Sequence, residues 1–173
     1  MLLSSQHEVI QEYISGEILT LTIYSVNSLI NQIDIDWLKN PFNPTTTIGK
    51  QVKNLLLSYE QGKLVQWDLL PLNWNSIPKN SFQKKVLLAL TTIKYGTTIS
   101  YRDLAALAGN PRAARAVGNI MSKNPWPLVV PCHRVIGTNN HLTGFKGKKG
   151  LSIKAWLLHR EGHLISNNKS IIS

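Results

Sequence analysis

Cys132 is the only cysteine in this 173-residue chain, and His133 follows it within NPWPLVVPCHRVIG, residues 124 to 137. A thiolate is a soft nucleophile and a neighbouring histidine can take its proton, so the pair suggests displacement or acyl transfer at sulfur. The competing reading is that Cys132 fills space, because a cysteine outside any disulfide is among the most buried residue types. Consecutive side chains of an extended segment point apart, so His133 can act on Cys132 only if the chain bends there or a water joins them. Glu161 follows the helical pattern LSIKAWLLHR and precedes Gly162. A carboxylate in the last turn of a helix opposes the macrodipole, which points to a partner such as His133, although a surface pairing with Arg160 or Lys154 explains it as well. His159 and His163 lie four apart without an evident third ligand, and no metal is expected.

These side chains need elements to position them. PLVVP, bounded by Pro127 and Pro131, reads as a short buried strand with Cys132 just past its end. Phe82, Val86, Leu90 and Ile93 mark a helix that opens at Ser81 and closes at Gly96. Ser100 and Asp103 form a capping-box pattern for a second helix that buries Leu104, Leu107 and Ala108 and stops at Gly109. A third helix is expected to open with Asn110 as N-cap and Pro111 at its first position. The short turn at Gly109 and Asn110 has helix-turn-helix spacing. The third helix carries an apolar stripe at Ala113, Ala116, Val117 and Ile120, and its other face shows Arg112, Arg115 and Asn119 beside the small Ala114 and Gly118. Small residues let a helix lie close to a nucleic-acid groove while an arginine reaches beyond them. An ordinary helical hairpin with a solvated charged face fits the same pattern.

Toward the N-terminus, ILTLTIY (18–24) alternates like a half-buried strand. Ile48, Val52, Leu55, Leu56 and Tyr59 fall at helical spacing before Gly62, and KLVQWDLL (63–70) reads as a further strand. The polar NSIPKN (75–80) marks a boundary between an N-terminal α+β domain, residues 1–76, and a second domain, residues 77–173.

Composition narrows the partners. The apolar fraction of 43% suits a globular core. The net charge of +10 is uneven: residues 1–80 hold 5 Lys/Arg against 7 Asp/Glu, whereas residues 81–173 hold 14 against 2. Clustered positive charge suits a polyanion, since each neutralised phosphate releases counterions; a basic surface that serves solubility alone is the alternative. One cysteine excludes an internal disulfide and any multi-thiolate zinc site, which points to a reducing compartment. No signal-like start and no run of about 20 apolar residues is present, so a cytoplasmic protein, nuclear if eukaryotic, with no membrane partner is expected.

PCHRVIG, with NP seven residues upstream, resembles the active-site signature of methylated-DNA–protein-cysteine methyltransferases, the O6-alkylguanine-DNA alkyltransferases. The likeness runs from SFQKKVLLALTTIKYGTTISYRDLAALAGNPRAARAVGNIMSKNPWPLVVPCHRVIG through LTGF to KAWLLHREG, about half the chain. LLLSYEQGKLVQWDL is similar to part of the family's variable domain. The resemblance implies an α+β fold, with a small ribonuclease-H-like α/β domain followed by a mostly helical DNA-binding domain containing a helix-turn-helix.

It also implies roles. Cys132 would be the alkyl acceptor, His133 would take its proton through a water, Glu161 would hold that histidine, and Asn124 would brace the active-site turn. Tyr101 would contact the base and help rotate the nucleotide, Phe145 would wall the pocket, and the carbonyls of Cys132 and Val135 would read the guanine amino group. The backbone at Lys146 or Gly147 would donate to the guanine oxygen. Arg115 would fill the gap left in the duplex, joined at the DNA by Arg112, Ala114, Gly118, Asn119 and Arg134. Three departures from the family pattern stand out: Lys94 in IKYG where proline is usual, Phe145 where tyrosine is commoner, and two extra residues in FKGKKGL (145–151).

The activity implied is cofactor-free, irreversible, one-shot transfer of an alkyl group from O6-alkylguanine, and from O4-alkylthymine, in a flipped nucleotide. The partner would be double-stranded alkylated DNA, entered by a monomer through the minor groove. A lesion sensor of the same fold, which binds without reacting, and a Cys–His hydrolase are the alternatives; the hydrolase leaves the basic half unexplained.

Overall fold

In the N-terminal half, apolar residues alternate with polar ones along three consecutive strands. The computed structural model describes residues 8–145 and 150–172. Strands β1 (Ile10–Ser15), β2 (Leu19–Val26) and β3 (Leu29–Trp37) form an antiparallel meander in the order β1-β2-β3. Leu19, Leu21 and Ile23 of β2 point to the core, as the alternation predicts. The β2–β3 link is a two-residue hairpin whose Asn27 and Ser28 both have positive φ, 50° and 60°, the geometry that matches strand twist. Helix α1 (Thr47–Glu60) packs on this sheet through Val52, Leu56 and Tyr59. Its last residue, Glu60, accepts the backbone N–H groups of Glu17, Ile18 and Leu19 at 2.6 to 3.1 Å and ties the helix to the β1–β2 turn.

The expected strand in KLVQWDLL is absent; a 3-10 turn, Trp67–Leu69, stands there. Trp67 turns into the core against Tyr59, with ring centroids 6.0 Å apart, and a regular strand could not bury that indole while leaving Leu64 and Leu69 exposed as they are.

Helix α2 (Phe82–Thr91) is capped by Ser81, as expected, but ends short of Gly96. The chain leaves the helix because the Ile93 carbonyl and the Gly96 N–H serve side chains of the site. A two-residue parallel ladder joins β4 (Ile99–Ser100) to β5 (Val135–Ile136). Helix α3 (Tyr101–Leu107) opens on the expected cap, with Ser100 accepting from the Asp103 N–H and bonding its carboxylate at 2.6 Å. Its buried stripe is Leu104, Ala105 and Ala108, while Leu107 is exposed.

Helix α4 (Ala114–Ser122) begins later than Asn110-Pro111 implies, and no side chain caps it. Those residues instead make a turn closed by the Ala113 N–H on the Asn110 carbonyl. Asn first and Pro second suit a β-turn as well as a helix start, so the local signal is degenerate. Along α4, Val117 and Met121 face the core and Ala116 is exposed. Helix α5 (Gly150–Arg160) and a small hairpin of β6 (Leu164–Ile165) and β7 (Ile171–Ile172) complete the described chain.

One apolar core crosses the expected domain boundary, joining Leu21, Ile33, Leu56 and Tyr59 to Val86, Leu104, Val117, Val130, Val135 and Leu157. The join includes backbone groups: the Ile33 N–H donates to the Pro125 carbonyl at 2.7 Å, and the Trp126 indole donates to the Ile30 carbonyl at 3.0 Å. Strand β3 therefore holds the segment that leads to Cys132.

Candidate active site

PLVVP is not a strand. Leu128 has φ 73°, and the Val130 N–H closes a turn on the Trp126 carbonyl at 2.8 Å. Asn124, fully buried, supplies the hydrogen bonds that a sheet would otherwise provide: its amide donates to the Val130 carbonyl at 2.8 Å and accepts from the Trp126 N–H at 3.1 Å. Asn124 thus braces the turn from inside. The chain then bends into a 3-10 turn, Cys132–Arg134, before entering β5. This is the bend that adjacent Cys and His side chains require. Cys132 keeps 5% of its surface exposed and His133 none.

Beneath the turn, Glu161 gathers five donors. His133 Nε2 lies 2.8 Å from Oε1, Arg134 Nη2 and the Tyr59 hydroxyl each lie 2.9 Å from the same oxygen, and Arg134 Nε (2.9 Å) and the Gly96 N–H (3.2 Å) meet Oε2. Burial alone would raise the Glu161 carboxyl; the hydrogen bond from His133 and the charge and hydrogen bonds of Arg134 outweigh it and hold the group well below the usual carboxylate range. Burial drives the His133 imidazole below its usual range, helped by the positive Arg134 and Lys154 and opposed by Glu161. An ionised carboxylate has no proton to give, so neutral His133 donates from Nε2, which leaves Nδ1 as its basic lone pair. That nitrogen is buried without a hydrogen-bond partner among the described residues.

These shifts carry a pH dependence. His133 stays neutral in the fold but protonates when unfolded, so its stabilisation is complete above the ordinary 6.5 and is lost as pH falls toward its lower folded value. Glu161 contributes stability above the ordinary 4.5, lost as pH falls through its depressed folded value. Urea titrations should show unfolding free energy declining below about pH 6.5, by up to about 1.4 kcal/mol per pH unit for each proton taken up. His133→Gln should flatten the decline between pH 6.5 and 5; an unchanged slope would contradict a neutral buried imidazole.

Arg134, expected at the DNA, points inward: it is 7% exposed, is ion-paired with Glu161 and bonds the Ile93 carbonyl. Two residues that sequence reasoning passed over also belong to the site. Tyr59 arrives from α1, and Lys154, fully buried on α5, donates from Nζ to the Val135 carbonyl at 2.6 Å and the Thr143 carbonyl at 2.8 Å. Burial pulls the Lys154 ammonium down to about 8, and its proximity to an ionised Cys132 sulfur pulls the other way. A signal for Lys154 exists: it sits three and four residues before Leu157 and Leu158, on their buried face.

The β4–β5 ladder sets Tyr101, at the start of α3, beside the cysteine turn. Burial raises the Tyr101 phenol and a Cys132 charge adds to the rise, while the hydroxyl accepts from Thr143 at 3.0 Å. A pocket of about 620 Å³ opens next to it, lined by Tyr101, Arg115, Gly118, Met121, Thr143 and Phe145. Arg112, Arg115 and Asn119 are exposed, Ala114 and Gly118 are half-buried between them, and Val135 is buried. Lys146 and Gly147 lie outside the described residues.

Residues 81–163 match the family model for the DNA-binding domain of 6-O-methylguanine DNA methyltransferase. The chain is 42% identical over 130 residues to the constitutive methylated-DNA–protein-cysteine methyltransferase of Bacillus subtilis (strain 168), which covers 73% of this chain and 76% of that protein. It is 50% identical over 86 residues to the human methylated-DNA–protein-cysteine methyltransferase, which covers 49% of this chain but only 41% of the human one. A crystal structure of Mycobacterium tuberculosis OGT in complex with DNA is similar with a TM-score of 0.70 at 34% identity, over 87% of this chain and 92% of that one. The bent cysteine turn, the carboxylate-held histidine and these matches lead to one conclusion: this chain belongs to the methylated-DNA–protein-cysteine methyltransferase family.

Proposed function

We propose that the protein repairs alkylated DNA directly, by transferring the alkyl group of O6-alkylguanine to Sγ of Cys132. The observation that carries this reading is the placement of His133, locked to Glu161 on one side and presenting a buried, unpartnered Nδ1 on the other, directly after a cysteine at the edge of solvent. Nδ1 accepts the thiol proton through a water, the thiolate attacks the saturated alkyl carbon, a C–S bond forms as the C–O bond breaks, and the proton returns to the purine. A thiol of ordinary pKa near 8.5 is already a few per cent ionised at pH 7, so full deprotonation gains at most about 30-fold, ~2 kcal/mol. Holding the carbon against sulfur contributes more, up to ~7–11 kcal/mol. The braced turn and the pocket therefore matter more than the acidity of the thiol.

The substrate carbon lies inside the base stack, so the nucleotide must be extruded. In this reading α3 and α4 act as a helix-turn-helix that one protein molecule lays in the minor groove of a duplex. Arg112, Ala114, Gly118 and Asn119 approach the backbone, Arg115 enters the space that the base leaves, and Tyr101 and Phe145 receive it, with the Val135 carbonyl reading its amino group. The same pocket accepts O4-alkylthymine. Support comes from the exposed Arg115 in the pocket lining, from the exposed Arg112 just before α4, and from the 14 basic against 2 acidic residues after position 80. A sensor that never reacts needs no nucleophile, so the thiol of Cys132 beside the His133–Glu161 pair favours transfer. No helix among the described residues is long and apolar enough to cross a membrane.

Mixing the protein with duplex containing O6-methylguanine should add one CH2 to the intact mass, with a plateau at one per chain, because a thioether has no exchange route back to thiol. Continued turnover would overturn the reading. Gly118 gives a second check. Among the described residues, a Cβ there meets only Tyr101 Cε1, at 4.0 Å, an ordinary contact, so their packing does not demand glycine. Gly118→Ala should stabilise the helix by about 0.5–1 kcal/mol while slowing transfer on duplex about tenfold, by holding α4 off the groove. Unimpaired transfer would place the DNA elsewhere.

A further inference from the structure

The Glu161 carboxylate that holds His133 also takes a hydrogen bond from a residue of the N-terminal half, outside the segment 81–163 that the family model matches. Tyr59 is fully buried, and its hydroxyl lies 2.9 Å from Glu161 Oε1, against 3.5 Å from the Leu157 carbonyl, so the phenol proton goes to the carboxylate. Oε1 is the same oxygen that His133 Nε2 approaches at 2.8 Å. We propose that Tyr59 is a positioning residue of the alkyl-transfer site: the N-terminal half uses this hydroxyl to orient Glu161 and to set how strongly Oε1 draws on the His133 proton. The proposal rests on the reading of His133 as the proton acceptor for Cys132.

The physical reason is competition for one oxygen. Each donor on Oε1 withdraws charge from the others, so removing one strengthens those that remain. Besides Tyr59, the groups that face the pair are Arg134, which bonds both carboxylate oxygens; Tyr95, whose ring lies 6.1 Å from that of Tyr59 and whose hydroxyl bonds the Arg160 carbonyl; Arg160 itself; and Lys154, which acts on His133. None of these others reaches Oε1 from α1. Burial and the Glu161 charge raise the Tyr59 phenol, which keeps its proton in place.

The test reads the His133 Nε2 proton by NMR in imidazole-labelled full-length protein. Tyr59→Phe removes one donor of five and keeps the ring, so the fold should persist. Its Nε2 proton should move downfield, and His133 should become about threefold easier to protonate. Site-specific 3-fluorotyrosine at position 59, a stronger donor of the same shape, should shift both in the opposite direction. A merely structural tyrosine would not give shifts of opposite sign. Identical His133 resonances in all three proteins overturn the proposal. The reading on which it rests fails separately, if the wild-type protein removes no methyl group from DNA, and the His133 shifts are measured without any transfer.

Discussion

Glu161→Ala is expected to cost about 3–5 kcal/mol of stability, because it leaves the buried Arg134 cation without its counter-charge. The loss reaches further than one ion pair. His133 Nε2, the Tyr59 hydroxyl and the Gly96 N–H lose their acceptor at the same time, and the first two are fully buried, where water does not replace it. For a chain of this size the melting temperature should fall by roughly 10 °C or more. Glu161→Gln keeps a carbonyl acceptor but turns an N–H₂ toward cationic and donor groups, so it should recover only part of the loss. Urea unfolding at pH 7 measures both. A loss below about 1 kcal/mol, the range of a surface pair, would mean that the carboxylate does not organise this centre.

Cys132→Ser, by contrast, is expected to leave stability nearly unchanged and to abolish alkyl transfer, by at least about a thousandfold in single-turnover rate. Serine fills almost the same space in the 3-10 turn, and the turn's own bonds, Cys132 N–H to the Val130 carbonyl at 2.8 Å and Arg134 N–H to the Pro131 carbonyl at 3.0 Å, involve no sulfur. What is lost is a thiol, far more acidic than the serine hydroxyl and, as thiolate, a soft nucleophile that attacks saturated carbon readily. DNA binding should survive, since Arg112 and Arg115 are untouched. The intact mass after incubation with O6-methylguanine duplex is the measurement, and a CH2 gained by the serine variant would move the acceptor to another residue.

Much of this site can be read along the chain. Cys132, His133 and Glu161 stand out by type and order, Asn124 only through the likeness to the family signature, and Glu161 is one of only two acidic residues after position 80. The caps at Ser81 and Ser100 are equally legible, because a cap depends on residues three apart. The readings that failed depended on distant partners. PLVVP has strand composition, yet the buried Asn124 amide and the positive φ of Leu128 make it a turn. KLVQWDLL fails as a strand because Trp67 finds Tyr59. Asn110-Pro111 suits two local structures, and only packing chooses between them.

Arg134, Lys154 and Tyr59 show the same division more sharply. A surface arginine and a buried one are spelled alike, and only the approach of Glu161 from the end of α5 turned Arg134 inward. By itself, the order of residues offered Cys132 as a candidate nucleophile, His133 and Glu161 as its candidate partners, and the basic helical face, because chemistry needs particular side chains whatever the fold around them. Tertiary structure alone decided which cations are buried, how the cysteine turn bends, and that an N-terminal tyrosine reaches the carboxylate. Burial and hydrogen bonding between residues about a hundred positions apart are properties of closure in space, which no local window of sequence contains.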